Sequence, residues 1–265
     1  MPSFTDQTGR TVALNTFPPK RIISLVPSQT ELLADLGLNN EVVGITKFCV
    51  HPPEWFRNKT RIGGTKNLNI KKIAELNPEL IIANKEENEK NQIAELEKYF
   101  PVWVSDVKNR NEAYQMIEQT GILTGKQYEA EKLLEQIKNN FSQLPPPGAR
   151  LRACYLIWQN PYMTAGGDTF ISDMLYTAGF ENIYSGKKRY PEVTIQELQS
   201  AGCQLLLLSS EPFPFKEEHV KQLQKQLPET KIRLVDGEIF SWYGSRLLYA
   251  AAYFIQLRNE LAINE

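Results

Sequence analysis

The chain lacks long apolar runs, an excess of either charge, a cysteine framework and more than a pair of histidines. No stretch approaches the roughly 20 consecutive apolar residues that span a bilayer, so no membrane span is expected. Lys plus Arg total 30 and Asp plus Glu 31, a net charge of −1. That balance leaves no electrostatic footprint for nucleic acid. The opening Met1-Pro2-Ser3-Phe4-Thr5-Asp6 has neither a basic start nor an apolar segment, so no signal peptide is read there. Two expectations follow: a leader has been removed, or the protein resides in the cytosol. Cys49, Cys154 and Cys203 form an odd set without metal-knuckle spacing and show no disulfide framework. Cys154 and Cys203 sit in or beside apolar stretches and read as small buried hydrophobes. With only His51 and His219, histidine acid–base chemistry has few candidates. Pro27-Ser28 stands where a Gly-rich phosphate loop would follow the first strand, and no Gly-x-Ser-x-Gly elbow occurs. These absences favour binding over turnover, with no catalytic residue and no catalytic cofactor expected.

What is present is a pattern stated twice. Ile73-Ala74-Glu75-Leu76 leads through Asn77-Pro78 into Leu80-Ile81-Ile82-Ala83 and then the polar Asn84-Lys85-Glu86-Glu87-Asn88. Downstream, Ile195-Gln196-Glu197-Leu198 leads through Ala201-Gly202 into Leu205-Leu206-Leu207-Leu208, which ends in Ser209-Ser210-Glu211-Pro212-Phe213. A second, weaker echo links Thr30 through Asn40 with Phe170 through Ile183; both read as a helix closed by glycine and followed by a turn with Asn. Strands are expected over Arg21–Val26, Glu41–Ile45, Val102–Val104, Ala153–Trp158 and Ile232–Asp236. Ser28-Gln29-Thr30-Glu31 matches a capping box for a helix through Leu36, stopped by Gly37. Alternating strands and helices predict an α/β fold with parallel sheets and helical crossovers. From Lys126 to Leu144, Ala130, Leu133, Leu134, Ile137, Phe141 and Leu144 share one helical face before Pro145-Pro146-Pro147-Gly148 ends the run. The expected organisation is an N-terminal lobe over 1–124, a connecting helix over 125–145 and a C-terminal lobe over 146–265, facing across a cleft.

Ligands of open parallel sheets gather at the carboxyl ends of the strands. Five loops qualify, beginning at Phe48, Asn84, Trp158, Ser209 and Glu238. They carry Phe48, Cys49 and His51; Glu86 and Glu87; Trp158 and Tyr162; Glu211, Phe213 and Phe215; and Trp242, Tyr243 and Arg246. Apolar faces with a few charged anchors suit a large planar or amphipathic molecule. Each group also has a plainer reading. Cys49 and His51 are the weak candidates for a metal, joined by Glu86 or Glu87; otherwise His51 is a loop residue ahead of Pro52-Pro53. Glu86 and Glu87 equally suit the solvated start of a helix, where carboxylates favour the dipole. Trp242 and Tyr243 equally suit a lid over the core. Arg246 stands near the start of the Leu247–Leu257 helix, where a cation opposes the macrodipole, so a paired or functional arginine is expected.

The motifs in order, Arg21 to Ser28 with Thr30-Glu31-Leu32, Val43-Gly44-Ile45, Arg61-Ile62-Gly63-Gly64, Leu76 to Ala83, and Ala178 to Ile183, cover essentially the whole chain. In them the chain resembles the substrate-binding proteins of ABC importers of the helical-backbone type, the iron-siderophore and vitamin B12 group. The resemblance implies two Rossmann-like αβα sandwich lobes joined by one long helix, ligand in the cleft between them, and a periplasmic monomer that serves an ABC permease. Its ligand positions would be Phe48, Cys49, His51, Thr65, Lys66, Asn84, Tyr162, Trp242 and Arg246. Aromatics expected for a cobalamin binder at Thr65 and Asn84 are absent. The resemblance also implies a permease-docking glutamate near a helix start in each lobe, but those positions hold Lys71 and Gln196, with Glu75, Glu192 and Glu197 nearby.

The leading expectation is a solute-binding protein for a metal-bearing organic ligand: a cobalamin-like corrinoid, heme or a ferric siderophore. The alternatives are direct metal-ion binding through Cys49 and His51, and a cytosolic relative uncoupled from a transporter, such as an enzyme with Cys49 as nucleophile.

Overall fold

The computed structural model describes residues 1–261. It divides into two compact units, one of Met1–Val107, Asn111–Lys138 and Tyr243–Arg246, the other of Lys108–Arg110, Asn139–Trp242 and the described chain from Leu247 onward.

The first unit opens with an antiparallel hairpin of β1 (Ser3–Thr5) and β2 (Thr11–Ala13). There follow β3 (Ile22–Ser24), α1 (Pro27–Asp35), β4 (Val42–Ile45), α2 (Pro53–Asn58), β5 (Thr60–Arg61), α3 (Ile70–Glu75), β6 (Leu80–Asn84), α4 (Lys90–Leu96) and β7 (Val102–Ser105). The strands form a parallel sheet in the order β5-β4-β3-β6-β7. Helices α5 (Arg110–Thr124) and α6 (Gln127–Ser142) come next, and the chain leaves the first unit inside α6, between Lys138 and Asn139.

The second unit contains β8 (Leu151–Trp158), β9 (Met163–Thr164), α7 (Phe170–Thr177), β10 (Phe180–Asn182), α8 (Ile195–Ser200), β11 (Leu205–Ser209), α9 (Glu217–Gln226), β12 (Lys231–Val235), α10 (Gly237–Ser241) and α11 (Leu247–Glu260). Its parallel path runs β10-β8-β11-β12, with β9 antiparallel on β8. The two sheets therefore repeat one plan. β3-α1-β4 corresponds to β8-α7-β10, and α3-β6 corresponds to α8-β11. In each sheet the winding direction reverses once, between β3 and β6 in the first and between β8 and β11 in the second, which is where ligand crevices form in such folds.

Central strands of a parallel sheet are covered on both faces, so they need unbroken apolar runs. Ile22, Ile23, Leu80, Ile81, Ile82 and Leu205 through Leu208 are all fully buried. α6 matches its expected period: Ala130, Leu133, Leu134, Ile137 and Phe141 are buried, and the helix stops at Ser142, with Leu144 half-buried beyond it.

Several features depart from the sequence expectation. The capping box at Ser28 does not form, because the helix starts at Pro27, with Val26 as N-cap and no side-chain cap. Proline suits that first position, having no N–H to leave unpaired. Gly37 does supply the left-handed stop, at φ +78°. Helix α5, read as no element, buries Thr120, Gly121 and Thr124 beside Ala113, Met116, Ile117 and Leu123, so its packed face shows only a weak apolar period. The Asn after Gly179 belongs to a strand, β10, and not to a turn. The β1–β2 hairpin was invisible for want of length, yet Asp6 and Gln7 bond the edge strand β7 through the Val104 N–H and C=O.

Candidate functional site

In the first unit three loops meet at the carboxyl end of the sheet: 46–51 after β4, 62–68 after β5 and 85–89 after β6. Asn84 is fully within the core at 2% exposure, and its side-chain oxygen accepts from the backbone N–H of Glu86 (2.8 Å) and Glu87 (3.0 Å). Its amide donates to Ser105 Oγ at 2.9 Å. The Asn84 side chain is thus consumed in turning the loop, and its backbone N–H donates to Asn88 Oδ1 at 2.9 Å. Asn88, also buried, donates to the carbonyls of Thr65 (3.1 Å) and Leu25 (3.3 Å). It pins the β5 and β6 loops to the end of β3, at the winding reversal. Lys66 adds a brace from Nζ to the Glu86 carbonyl at 2.6 Å, beside the Glu89 carboxylate at 3.7 Å. Thr65 is buried, Glu86 is half-buried and Glu87 exposed.

Phe48 is half exposed (50%), with the Lys47 ammonium 5.0 Å from its ring centroid. Next to it, Cys49 points inward with no exposure, its sulfur 3.0 Å from Thr30 Oγ1 and 3.1 Å from Thr46 Oγ1. Burial, with a smaller push from the Glu87 carboxylate, raises the thiol above its ordinary value. A thiol so placed is neither an attacking nucleophile nor an open metal ligand. His51 is half-buried, and no group of three metal-ligating side chains occurs among the described residues. The structure therefore gives Cys49 a packing role and turns against its use as ligand contact, metal ligand or nucleophile.

Tyr243 and Arg246 come to the first unit from the far end of the chain. The Gly244 backbone lies so close to Ser28 that a Cβ would stand 2.6 Å from its carbonyl oxygen. Arg246 forms a two-point ion pair with Glu31 of α1, Nη2–Oε1 2.6 Å and Nε–Oε2 3.0 Å. The expectation of a paired arginine holds, and the partner is Glu31, which ties the guanidinium to α1. Tyr243 is buried.

In the second unit, β8 ends at Trp158, 41% exposed, whose ring meets Phe213 edge-on at 5.8 Å. Tyr162, like Phe213, is partly buried against the apolar core of this unit. Phe213 in turn contacts Phe215 and His219. An aromatic ledge thus spans the reversal between β8 and β11. Trp242 is buried and does not offer its ring face to solvent; its indole N–H donates to Glu211 Oε1 at 2.8 Å, and Ser241 Oγ donates to the same oxygen at 2.7 Å. Burial pushes the Glu211 carboxyl above its ordinary value near 4.5; the two hydrogen bonds oppose that, and the Glu238 and Asp236 charges add to it. The folded state therefore holds this proton more tightly than the unfolded chain, and Glu211's contribution to stability falls as pH rises above that ordinary value. Glu211→Gln keeps an oxygen for both donors. Its thermal midpoint is expected to exceed wild type at pH 8 and to match it at pH 4; equal midpoints at both pH values contradict the assignment.

Lys71 and Gln196 occupy the same place, the second residue of α3 and of α8, and both are exposed. The preceding caps correspond too, with Asn69 accepting from Lys72 N and Thr194 from Glu197 N. Glu197 is engaged in its own capping box with Thr194. The sequence does not single out Asn88 as a loop tie, Glu31 as the partner of Arg246 or His219 as part of the aromatic ledge. The Asn84-x-x-x-Asn88 spacing past a strand end was the signal for the first; Glu31 and His219 had none of comparable strength.

A family model described as periplasmic binding protein matches residues 22–230. A vitamin B12-binding protein of Vibrio vulnificus (strain CMCP6) is 26% identical over 198 residues, covering 71% of this chain and 70% of that protein. The periplasmic heme-binding protein RhuT from Roseiflexus sp. RS-1 has a TM-score of 0.73 at 21% identity, over 89% of this chain and 98% of that one. An ABC-type Fe3+-hydroxamate transport system structure from Saccharomonospora viridis DSM 43017 has a TM-score of 0.74 at 17% identity, over 98% of both chains. At these identities the two structures establish likeness of fold.

Proposed function

Because the chain belongs to the periplasmic binding protein family, we propose that it is a solute-binding protein for a metal-bearing organic ligand, a corrinoid, heme or ferric siderophore, delivered to an ABC-type importer outside the cytoplasm. The observation that carries this reading is the exposed aromatic at the strand ends of each unit, Phe48 in one and Trp158 in the other. Large flat apolar faces left in water beside polar loops are what an organic ligand with a broad face would cover. Phe48, His51, Lys66, Glu86 and Glu87 in the first unit, and Trp158 and Tyr162 in the second, are the proposed contacts. Thr65 and Asn84 hold the loops of the first unit from behind, and Trp242 holds Glu211 in the second. Vitamin B12, heme and the Fe3+-hydroxamate named for the three proteins above each hold a metal in an organic frame, which fits this mixture of aromatic and ionic groups. No catalytic step is assigned.

Titration of the purified protein with cyanocobalamin, ferric protoporphyrin IX and ferric desferrioxamine B is expected to give a saturable spectral or calorimetric response with one of them. No response to any of the three sinks the reading. A second reading, binding without delivery, is favoured by one observation: exposed Lys71 and Gln196 stand where the resemblance implies acidic docking residues. Charge pairing with an arginine-bearing permease would be lost there. Stimulation of a reconstituted importer's ATP hydrolysis by the loaded protein decides for delivery; its absence decides for binding alone.

A further inference from the structure

His219 lies in the first turn of α9, just past the loop that follows β11, on the side of the second unit where ligand crevices form. Its Nδ1 accepts a hydrogen bond from the Lys216 backbone N–H at 2.8 Å. A neutral imidazole carries one proton, so with Nδ1 accepting, that proton sits on Nε2. The ring is held by aromatic contacts as well: it meets Phe213 at 5.4 Å and 77° and Phe215 at 5.5 Å and 84°. Phe213 is the residue that contacts exposed Trp158. Histidine, ledge and strand end are therefore one assembly, half-buried at His219 and open at Trp158.

Resting on the proposed binding role, we infer that His219 is a specificity-determining residue that donates its Nε2–H to a hydrogen-bond-accepting oxygen, carboxylate or amide carbonyl, on the rim of the bound ligand, and does not ligate the ligand's metal. Metal ligation through Nε2 requires the ring proton on Nδ1. There it would face the Lys216 N–H, donor against donor, and the bond that orients the ring would be lost. The arrangement is set up for an oxygen acceptor, and against a metal.

The test compares wild type with His219→Phe, which keeps an aromatic ring against Phe213 and Phe215 but has no donor, and with His219→Gln, which restores an N–H. Each is titrated with ferric protoporphyrin IX, cyanocobalamin and ferric desferrioxamine B, with thermal midpoints confirming the fold. For the probe that wild type binds, His219→Phe is expected to weaken binding about tenfold, or about 1.4 kcal/mol. His219→Gln is expected to recover most of that loss, and the visible spectrum of the bound probe to stay unchanged. An unchanged affinity in His219→Phe overturns the donor assignment, as does a spectral change reporting loss of an axial nitrogen; the binding role survives both. If wild type binds none of the probes, the binding role itself falls, and the donor assignment with it.

Discussion

Glu31→Gln is expected to lower the stability of the protein by about 3 kcal/mol, and Arg246→Gln by less, about 2 kcal/mol. The pair is mostly buried, with 16% of the arginine side chain and 15% of the glutamate exposed. Removing one member of a fully buried pair costs roughly 3–5 kcal/mol because the other charge is left unpaired. Residual exposure brings both figures toward the low end. The order of the two follows from where each remaining charge would lie. Without Glu31, a guanidinium remains immediately ahead of α11, against the positive end of that helix. Without Arg246, a carboxylate remains at the middle of α1, where the helix field does not oppose it. Replacing both together, Glu31→Leu with Arg246→Met, is expected to recover part of the loss. Urea denaturation followed by circular dichroism measures all three. A Glu31→Gln loss under about 0.5 kcal/mol would mean that the pair is screened like an exposed one.

Asn88→Ala is expected to cost about 2–3 kcal/mol and to weaken ligand binding about tenfold or more. The substitution leaves the Asn84 N–H without its acceptor, and the Thr65 and Leu25 carbonyls without their donor, all at a buried point. Buried groups left unsatisfied cost roughly 1–3 kcal/mol each, reduced where a water enters the vacated space. The binding loss has a separate cause, since Asn88 ties the loop of Lys66 to that of Glu86 and Glu87. The isosteric Asn88→Asp sharpens the test. It keeps an acceptor for the Asn84 N–H but sets a carboxylate against two carbonyl oxygens, so it should be worse than alanine. An aspartate variant as stable as wild type would show that the donors contribute nothing. Thermal melts, together with titration of each variant with the probe that wild type binds, give both readouts.

These predictions rest on residues that differ in how far the sequence exposes them. The apolar run Leu205–Leu208 and the helical face Ala130-Leu133-Leu134-Ile137-Phe141 were legible because burial on two sides or on one stripe imposes a period on composition. The duplication was legible for the same reason: each unit needs the same helix-strand plan to form its sheet, so the apolar pattern recurs at Leu80–Ala83 and Leu205–Leu208. Phe48 and Trp158 could be proposed because a strand end followed by an aromatic is itself a local pattern. Helix α5 escaped because small and polar residues, Thr120, Gly121 and Thr124, make up much of its buried face. The burial of Cys49 was not legible because its position beside Phe48 says nothing about direction; in the turn after β4 these neighbours face opposite ways, one to solvent and one to the Thr30 and Thr46 hydroxyls.

The sequence by itself determined the α/β class, the parallel strands and the doubled plan, since each follows from the spacing of apolar residues along a short stretch. Only the tertiary structure decided which polar residues remain available. Arg246 and Glu31 are 215 residues apart, Trp242 and Glu211 are 31 apart, and Asn88 reaches back 63 residues to Leu25. A hydrogen bond or ion pair between such positions leaves no period in the chain, because what selects it is proximity after folding and the cost of burying a polar group alone. Loops that read as a set of equivalent candidates thus separate into side chains that stay open, such as Phe48 and Trp158, and others, such as Asn84, Asn88 and Trp242, that are buried in hydrogen bonds.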